Sequence, residues 1–313
     1  MTSINLENFK TGNITNMTYM FYNCYSLKYI DLLSFHIEKV IDMSYMFKYC
    51  QSLISINISN FNAPSLSNID YMFENCYKLI SIDFSNFNSP NLKNMEGVFY
   101  NCKALENVNL SYLNVQNVKT MSYMFYECES LKSIDLTSFN TTNLINMTHM
   151  FDYCKSLISA DLSNLQNPQL KYIDYMFQNC HSLKMINFNN FNTPKLESMD
   201  ALFKSCFSLP YVDFASFNTQ NLKNINSLFE NCLSLTSVDL SNFNSQSIRR
   251  INNIFYYCPN LTYIDISSFN LRSSTYYIFN KNIGSEGILK IHEKLEEQIK
   301  EQIPSNWTII ITK

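Results

Sequence analysis

The sequence is poor in the two residues that most often shape chain reversals, with 4 glycines and 7 prolines among 313 residues. Without glycine-rich stretches a loop that cradles phosphate is hard to build, which disfavours a nucleotide-binding site. Charged residues make up 16% of the chain and the formal net charge is −3, so the basic surface typical of a nucleic-acid-binding protein is not indicated. No run approaches the roughly 18 apolar residues that a membrane-spanning helix needs.

Asparagine is abundant where glycine is scarce, with 43 residues in the chain. Asparagine tolerates positive φ better than most other residues and forms turns through its own side chain. We therefore expect asparagine to build the turns of this protein. Hydrophobic residues make up 46% of the sequence, which is enough for a sizeable core and is not typical of a disordered chain.

The ten cysteines recur at a constant interval of 26 residues. They are Cys24, Cys50, Cys76, Cys102, Cys128, Cys154, Cys180, Cys206, Cys232 and Cys258. A phenylalanine stands three residues before each cysteine and a leucine three residues after it, as in Phe125, Cys128 and Leu131. A constant period of 20–50 residues indicates stacked structural repeats, and 26 residues falls in the range of leucine-rich repeats.

Each repeat contains two segments of different character. Apolar and polar residues alternate around Ile134 and Leu136, which predicts a short strand with these two side chains inward and Ser133 and Asp135 outward. Residues 123–128 place their apolar side chains on one side, which predicts a short helix opposite the strand. Stacking such units buries their apolar sides. The predicted fold class is therefore α/β, with one continuous parallel sheet and short helices on the opposite side.

The consensus of the repeats is C-x-x-L-x-x-I-D-L-S-x-F-N followed by N-L-x-N-M-x-Y-M-F-x-x-C. This pattern resembles the BspA-like leucine-rich repeat found in surface proteins of bacteria and of some parasitic protists. The resemblance implies a right-handed solenoid and a role in adhesion or protein binding at the cell surface or outside the cell. It supplies no catalytic residue.

The repeat pattern predicts a solenoid over residues 1–270, formed by a partial first repeat and ten cysteine-bearing repeats. Residues 271–313 are predicted to form a degenerate repeat and a strand–helix–strand cap, with strands near residues 288–291 and 307–311. The helix between them should span residues 293–303, with Leu295, Ile299 and Ile303 on one side. The first residues are in phase with a repeat and show no export signal, so we expect a fragment of a longer protein or a partial repeat that caps itself.

One cysteine in each repeat, always at an inward position, predicts buried free thiols. Neighbouring helices would lie about 8–10 Å apart, whereas the Cα atoms of a disulfide need less than about 7 Å. Five disulfides in a secreted protein are the alternative. No Cys-x-x-Cys pair occurs, and His36, His149, His181 and His292 do not share the cysteine phase. We predict no catalytic, metal-binding or cofactor-binding residue, and no enzymatic activity.

Aspartate or asparagine stands seven residues after each cysteine, at an outward position of the predicted strand. We call the aspartates at this position the Asp column. It predicts a weakly acidic binding face on a rigid sheet, although a purely structural role is the alternative. The candidate binding residues are Asp135, Asp161, Asp213, Asp239 and Asp265, with Tyr211 and Tyr263 as aromatic contacts that are equally typical of ordinary strands.

The sequence therefore predicts a non-enzymatic module for protein binding or adhesion. Its expected partner is a protein, for example a host or matrix protein, with no nucleic acid, no cofactor and no membrane span in this chain. An intracellular scaffold built on the same solenoid is the alternative, because ten unpaired cysteines are more typical of a reducing compartment. An enzyme is a third and weaker alternative.

Overall fold

The computed structural model describes residues 2–4, 6, 9–58, 61–85, 87–270, 277–279 and 282–313. The repeats contribute β1 (Tyr29–Asp31), β2 (Ser55–Asn57), β3 (Ser81–Asp83), β4 (Asn107–Asn109), β5 (Ser159–Asp161), β6 (Met185–Asn187), β7 (Ser237–Asp239) and β8 (Tyr263–Ile266). The C-terminal part adds β9 (Gly287–His292), helix α1 (Glu293–Ile299), a 3-10 turn (Lys300–Gln302) and β10 (Trp307–Thr312). All paired strands are parallel.

Successive repeats stack in register, so each strand residue lies opposite the residue 26 positions later. Ile30 pairs with Ile56 in this way, and Val238 pairs with Ile264. Strands β1 and β2, β3 and β4, and β5 and β6 form pairs, while β7, β8, β9 and β10 form a four-stranded sheet in that order. The predicted parallel solenoid is confirmed. Ile134 and Leu136 are buried, and Ser133 and Asp135 are exposed, as the alternation predicts.

The sheet is less continuous than predicted, because the described residues divide into four sheet segments. Residues 133–135 and 211–213 are not regular strands. Just before residues 211–213 stands Pro210, which has no backbone N–H. It therefore cannot donate to the preceding repeat as residues at the same position in other repeats do. Lys184 N, for example, donates to Ile158 O at 2.9 Å. Single bonds of this type still connect neighbouring segments, such as Ile80 N to Ile54 O at 3.2 Å.

The side opposite the strands consists of tight turns, which corrects the prediction of short helices. Backbone N–H groups alternate between two uses: Tyr126 N donates within its own turn to Tyr123 O at 3.1 Å, and Phe125 N donates to Met150 O of the next repeat at 2.9 Å. A helix is about 10 Å across, but hydrogen-bonded parallel segments lie about 4.8 Å apart. Helices therefore do not fit at the spacing that the stacked repeats impose.

These turns place many residues at positive φ, but asparagine is not the main residue there. Among the described non-glycine residues with positive φ, tyrosine occurs eight times and asparagine seven times. The tyrosine positions bring rings together across repeats, as in Tyr45 and Tyr71, whose centroids are 5.5 Å apart at an angle of 1°. Ring stacking and the inter-repeat hydrogen bonds offset the cost of positive φ, which is about 1–2 kcal/mol per residue. Asparagine more often caps turns through its side chain, as where Asn146 Oδ1 accepts from Thr148 N at 2.9 Å.

The core is a set of side-chain stacks that run the length of the solenoid. The phenylalanines before the cysteines form one uninterrupted stack from Phe21 to Phe255, with neighbouring centroids 5.2–6.2 Å apart. Cys128 and Leu131 are fully buried beside Phe125. Every repeat therefore contributes the same apolar layer to one continuous core.

The C-terminal elements pack on the last repeat. Strand β9 pairs with β8 and with β10, and helix α1 buries Leu295 and Ile299 against the core. The helix begins after His292, whose Nδ1 accepts from Lys294 N at 3.2 Å. It ends at Ile299, earlier than predicted. The division of the chain at residue 270 stays a prediction, and residues 271–276, 280 and 281 of the proposed cap lie outside the described residues.

Candidate binding face

The Asp column has a structural role at the end of each strand. Asp213 Oδ1 accepts from Ala215 N at 2.8 Å, and Asp239 Oδ1 accepts from Ser241 N at 2.9 Å. Asn187 makes the same bond with Asn189 N at 3.0 Å. The turn is therefore stabilised by Oδ1, the acceptor atom that aspartate and asparagine share. It does not require a negative charge.

In Asp135 and Asp161, hydrogen bonds within the turn favour the ionised carboxylate. The side-chain and backbone bonds from Thr137 hold the pKa of Asp135 below its usual value, and those from Ser163 do the same for the pKa of Asp161. Asp135, Asp161, Asp213 and Asp239 are exposed. Each therefore combines one oxygen that accepts from the turn with a negative charge facing solvent.

Asp265 differs from the other candidate residues, because only 5% of it is exposed. Its Oδ2 lies 3.4 Å from Lys290 Nζ, and the Tyr263 hydroxyl donates to the same oxygen at 3.3 Å. Burial alone would raise the pKa of Asp265, but the bonds from Ser267 and the nearby Lys290 ammonium outweigh burial and lower it. Asp265 is therefore engaged by β9 and buried, whereas the alternation of the strand predicts an exposed outward position for it.

Tyr211 and Tyr263 have different surroundings. Tyr211 is 60% exposed. Tyr263 is partly buried, and Lys290 Nζ lies 5.4 Å from the centroid of its ring, so this ring already has a cationic partner. Of the two predicted aromatic contacts, only Tyr211 offers a free surface of this size.

The structure adds two exposed apolar residues to the face. Met185 is 62% exposed and stands one repeat before Tyr211, and Ile158, just before β5, is 48% exposed. We call Ile158, Met185 and Tyr211, together with Asp161 and Asp213, the central patch. Sequence reasoning missed Met185 and Ile158, although Met185 stands where five of the ten repeats have serine. A large apolar residue at an outward position was the available signal.

The cysteines form a row of free thiols, of which nine are buried and Cys24 is partly exposed. Nine of the ten Sγ atoms donate to the carbonyl oxygen of the phenylalanine 29 residues earlier, at 3.0–3.2 Å. The predicted reason for free thiols was wrong, because the turns stack at about 4.8 Å and not at helix spacing. These hydrogen bonds direct each sulfur toward a backbone oxygen. Burial raises the pKa of Cys50 and of Cys258 to about 12, so neither thiol is a ready nucleophile.

The described residues contain no group of three or more His, Cys, Asp or Glu side chains placed to hold a metal ion. No helix in the described ranges is long and apolar enough to cross a membrane. His149 has a packing role: its ring stacks between Tyr123 and Tyr175, and its Nδ1 lies 2.8 Å from Asp152 Oδ2.

The sequence matches the family described as "Mycoplasma protein of unknown function, DUF285" over residues 1–107, 78–186 and 171–283. The chain belongs to this family. Its repeats are of the BspA-like leucine-rich type, as the spacing of the motifs predicts. The family description states no function, so it assigns neither partner nor activity.

Solved structures with leucine-rich repeats are similar to this chain at low identity. A leucine-rich cell surface protein from Faecalibacterium prausnitzii is 19% identical, with 86% of this chain and 82% of that chain covered and a TM-score of 0.39. A leucine-rich repeat protein from Bacteroides ovatus is 16% identical, with 99% and 83% covered and a TM-score of 0.35. No curated protein matches the sequence.

Proposed function

We propose that this protein is a non-enzymatic binding module of a cell-surface or extracellular protein, and that it binds a protein partner through the central patch. The observation that carries the proposal is the exposure of Met185 and Tyr211 on adjacent repeats of a rigid parallel stack. Large apolar and aromatic side chains at a patch centre supply most of the binding energy in protein interfaces.

The charges around the patch indicate the kind of partner. Asp161 and Asp213 flank the apolar residues, so a segment with basic and apolar side chains is favoured over an acidic one. The partner would be a host or matrix protein if the chain has an adhesive role. Because the patch is already ordered, binding costs little conformational entropy on this side.

A peptide-display experiment tests the proposal with the chain as bait. A phage library of random peptides should yield binders enriched in Lys, Arg and aromatic residues. Their affinity should fall about tenfold or more for Tyr211→Ala, since interface hot spots contribute at least about 1–2 kcal/mol. Tyr112→Ala is the matched control, because Tyr112 is 73% exposed but lies outside the patch.

The role of charge can be separated from the role of the turn. Asp161→Asn and Asp213→Asn, at the two carboxylates of the central patch, retain the turn, because Asn187 and Asn109 make the same bond in their own repeats. We expect the double variant to bind basic peptides more weakly, and more so at low salt. If the double variant and Tyr211→Ala both bind as the unmodified chain does, the patch is not the binding site.

An intracellular scaffold remains the second candidate, favoured by the ten free thiols. Nine of the ten are buried, however, and burial protects thiols from oxidants also outside the cell. Labelling of intact source cells with an antibody against the chain distinguishes the two locations. Labelling only after permeabilisation would favour the scaffold.

A further inference from the structure

Basic side chains are concentrated on one flank of the solenoid, away from the Asp column. The flank consists of the residues 8 to 12 positions before each cysteine. It holds eight basic residues, namely Lys39, Lys93, Lys119, Lys171, Lys195, Lys223, Arg249 and Arg250, against the three acidic residues Glu38, Asp42 and Glu197. This excess of five positive charges lies on a chain whose formal net charge is −3. We call this surface the basic flank.

The backbone aligns in one row the five basic residues that stand nine positions before their cysteines. Lys171 N donates to Ile145 O at 2.9 Å, and Lys223 N donates to Glu197 O at 2.8 Å. Arg249 N donates to Lys223 O at 2.8 Å. Neighbouring positions are thus about 4.8 Å apart, and Lys119, Lys171 and Lys223 follow one another at about 10 Å. A regular row of cations at this spacing fits a linear anionic polymer.

Amide side chains run beside the cations, two residues earlier in six of the ten repeats. Asn91 Nδ2 donates to Pro64 O at 2.8 Å, and Asn143 Nδ2 donates to Gln116 O at 2.9 Å. Asn221 Nδ2 donates to Pro194 O at 2.8 Å. All three residues are exposed. Their oriented amide groups place acceptor oxygens at the surface, where hydroxyl groups of a ligand can donate to them.

The flank lacks the features that single-stranded nucleic acid uses. Aromatic side chains on which bases stack are the usual companions of a basic groove for single strands. Over the positions that define the basic flank, Tyr172 is the one aromatic residue. A polymer that carries both anions and hydroxyl groups fits the row of cations and the row of amides better.

We propose that the basic flank binds a sulfated polysaccharide, laid along the stack across several repeats. Sulfate esters are ionised at every physiological pH and recur along a hydroxyl-bearing chain. This surface is distinct from the central patch and would act independently of it.

Glu197 limits the free charge of the row. Its carboxylate lies 3.1 Å from Lys171 Nζ and 2.6 Å from Lys223 Nζ. A polyanion has to compete with this carboxylate for both ammonium groups. Removal of the charge at this position should therefore strengthen binding, which is an effect that a damaged fold would not produce.

The first experiment titrates the full chain with a fluorescent heparin oligosaccharide of defined length at low and at physiological salt. Binding should weaken as salt rises, because counterions are released from the polyanion. The triple variant Lys119→Gln, Lys171→Gln and Lys223→Gln should bind about tenfold more weakly, since three ionic contacts with the polyanion are lost together. Circular dichroism checks that the variant is folded.

The matched control removes the same number of charges elsewhere. Lys28, Lys132 and Lys184 are exposed and stand four residues after their cysteines, next to the strands. Their triple Gln variant has the same net charge as the flank variant and should bind heparin within about twofold of the unmodified chain. Equal losses in the two triple variants would overturn the proposal.

The second experiment removes a negative charge instead of positive charges. Glu197→Gln should bind heparin about threefold more tightly, as expected for freeing exposed ammonium groups. Glu129→Gln should not, although Glu129 lies 3.1 Å from both Lys103 Nζ and Lys155 Nζ, because this bridge lies outside the flank. The same oligosaccharide without its sulfates should bind poorly. Equal binding of the desulfated chain, or tighter binding of oligothymidylate, would refute a sulfated polysaccharide as the ligand.

Discussion

Truncation of one ring in the phenylalanine stack tests the packing of the whole solenoid. Phe125 is fully buried, and its ring stacks on Phe99 at 5.4 Å and on Phe151 at 5.5 Å. Phe→Ala substitutions in packed cores cost about 3–5 kcal/mol. Since stacked pairs add about 0.5–1.5 kcal/mol each beyond their buried area, we expect Phe125→Ala to lie in the upper part of that range.

The damage should remain local, because each repeat is held only by its neighbours. Urea unfolding followed by circular dichroism should show a lower midpoint, and a second transition where the stack separates at the fifth cysteine-bearing repeat. Phe125→Leu should recover much of the loss, because leucine refills most of the space. Tyr112→Ala, at a side chain that is 73% exposed, should change stability by no more than about 0.5 kcal/mol. A loss below about 1 kcal/mol for Phe125→Ala would refute the stacked core.

Two further predictions concern thiols and carboxylates. Alkylation of the native chain should modify Cys24, which is partly exposed, and alkylation after unfolding without reductant should modify all ten cysteines; a disulfide would contradict the structure. Burial raises the pKa of Asp70 to about 6, above its unfolded value of about 4, so stability falls as pH rises from about 4 through about 6. Asp70→Asn should therefore gain stability at neutral pH in urea titrations and not near pH 4. Asp135→Asn should lose stability at neutral pH, because the Thr137 bonds lower the pKa of Asp135 and so stabilise the folded chain when Asp135 is ionised. This loss should shrink as pH falls, because the stabilisation by Asp135 is then lost in the unmodified chain as well. Equal pH profiles for both variants would contradict this assignment.

The periodicity of the sequence was enough to predict the stacking. Ten cysteines at one interval place every repeat in register, and the residues around them separate into inward and outward positions. Ile134 and Leu136 face the core and Ser133 and Asp135 face solvent because a strand alternates its sides whatever its neighbours are. Such local rules need no knowledge of distances between repeats.

The distance between repeats decided what periodicity could not. A spacing of about 4.8 Å excludes a helix in every repeat, so residues 123–128 form turns that donate to the next repeat, and tyrosine takes positive φ beside asparagine. The same spacing brings nine of the ten thiols to a carbonyl oxygen of the preceding repeat, as at Cys128.

Contacts that occur at only one place in the stack also could not be predicted from the sequence. Asp265 follows its cysteine as the other members of the Asp column do, but β9 brings Lys290 to it and removes its charge from the exposed face. Met185 becomes a surface residue of interest only because it lies beside Tyr211 in the stacked chain. The sequence by itself determined which residues face inward, because that depends on local alternation and a constant period. The tertiary structure alone decided which outward residues are free, because that depends on what each neighbouring segment places against them.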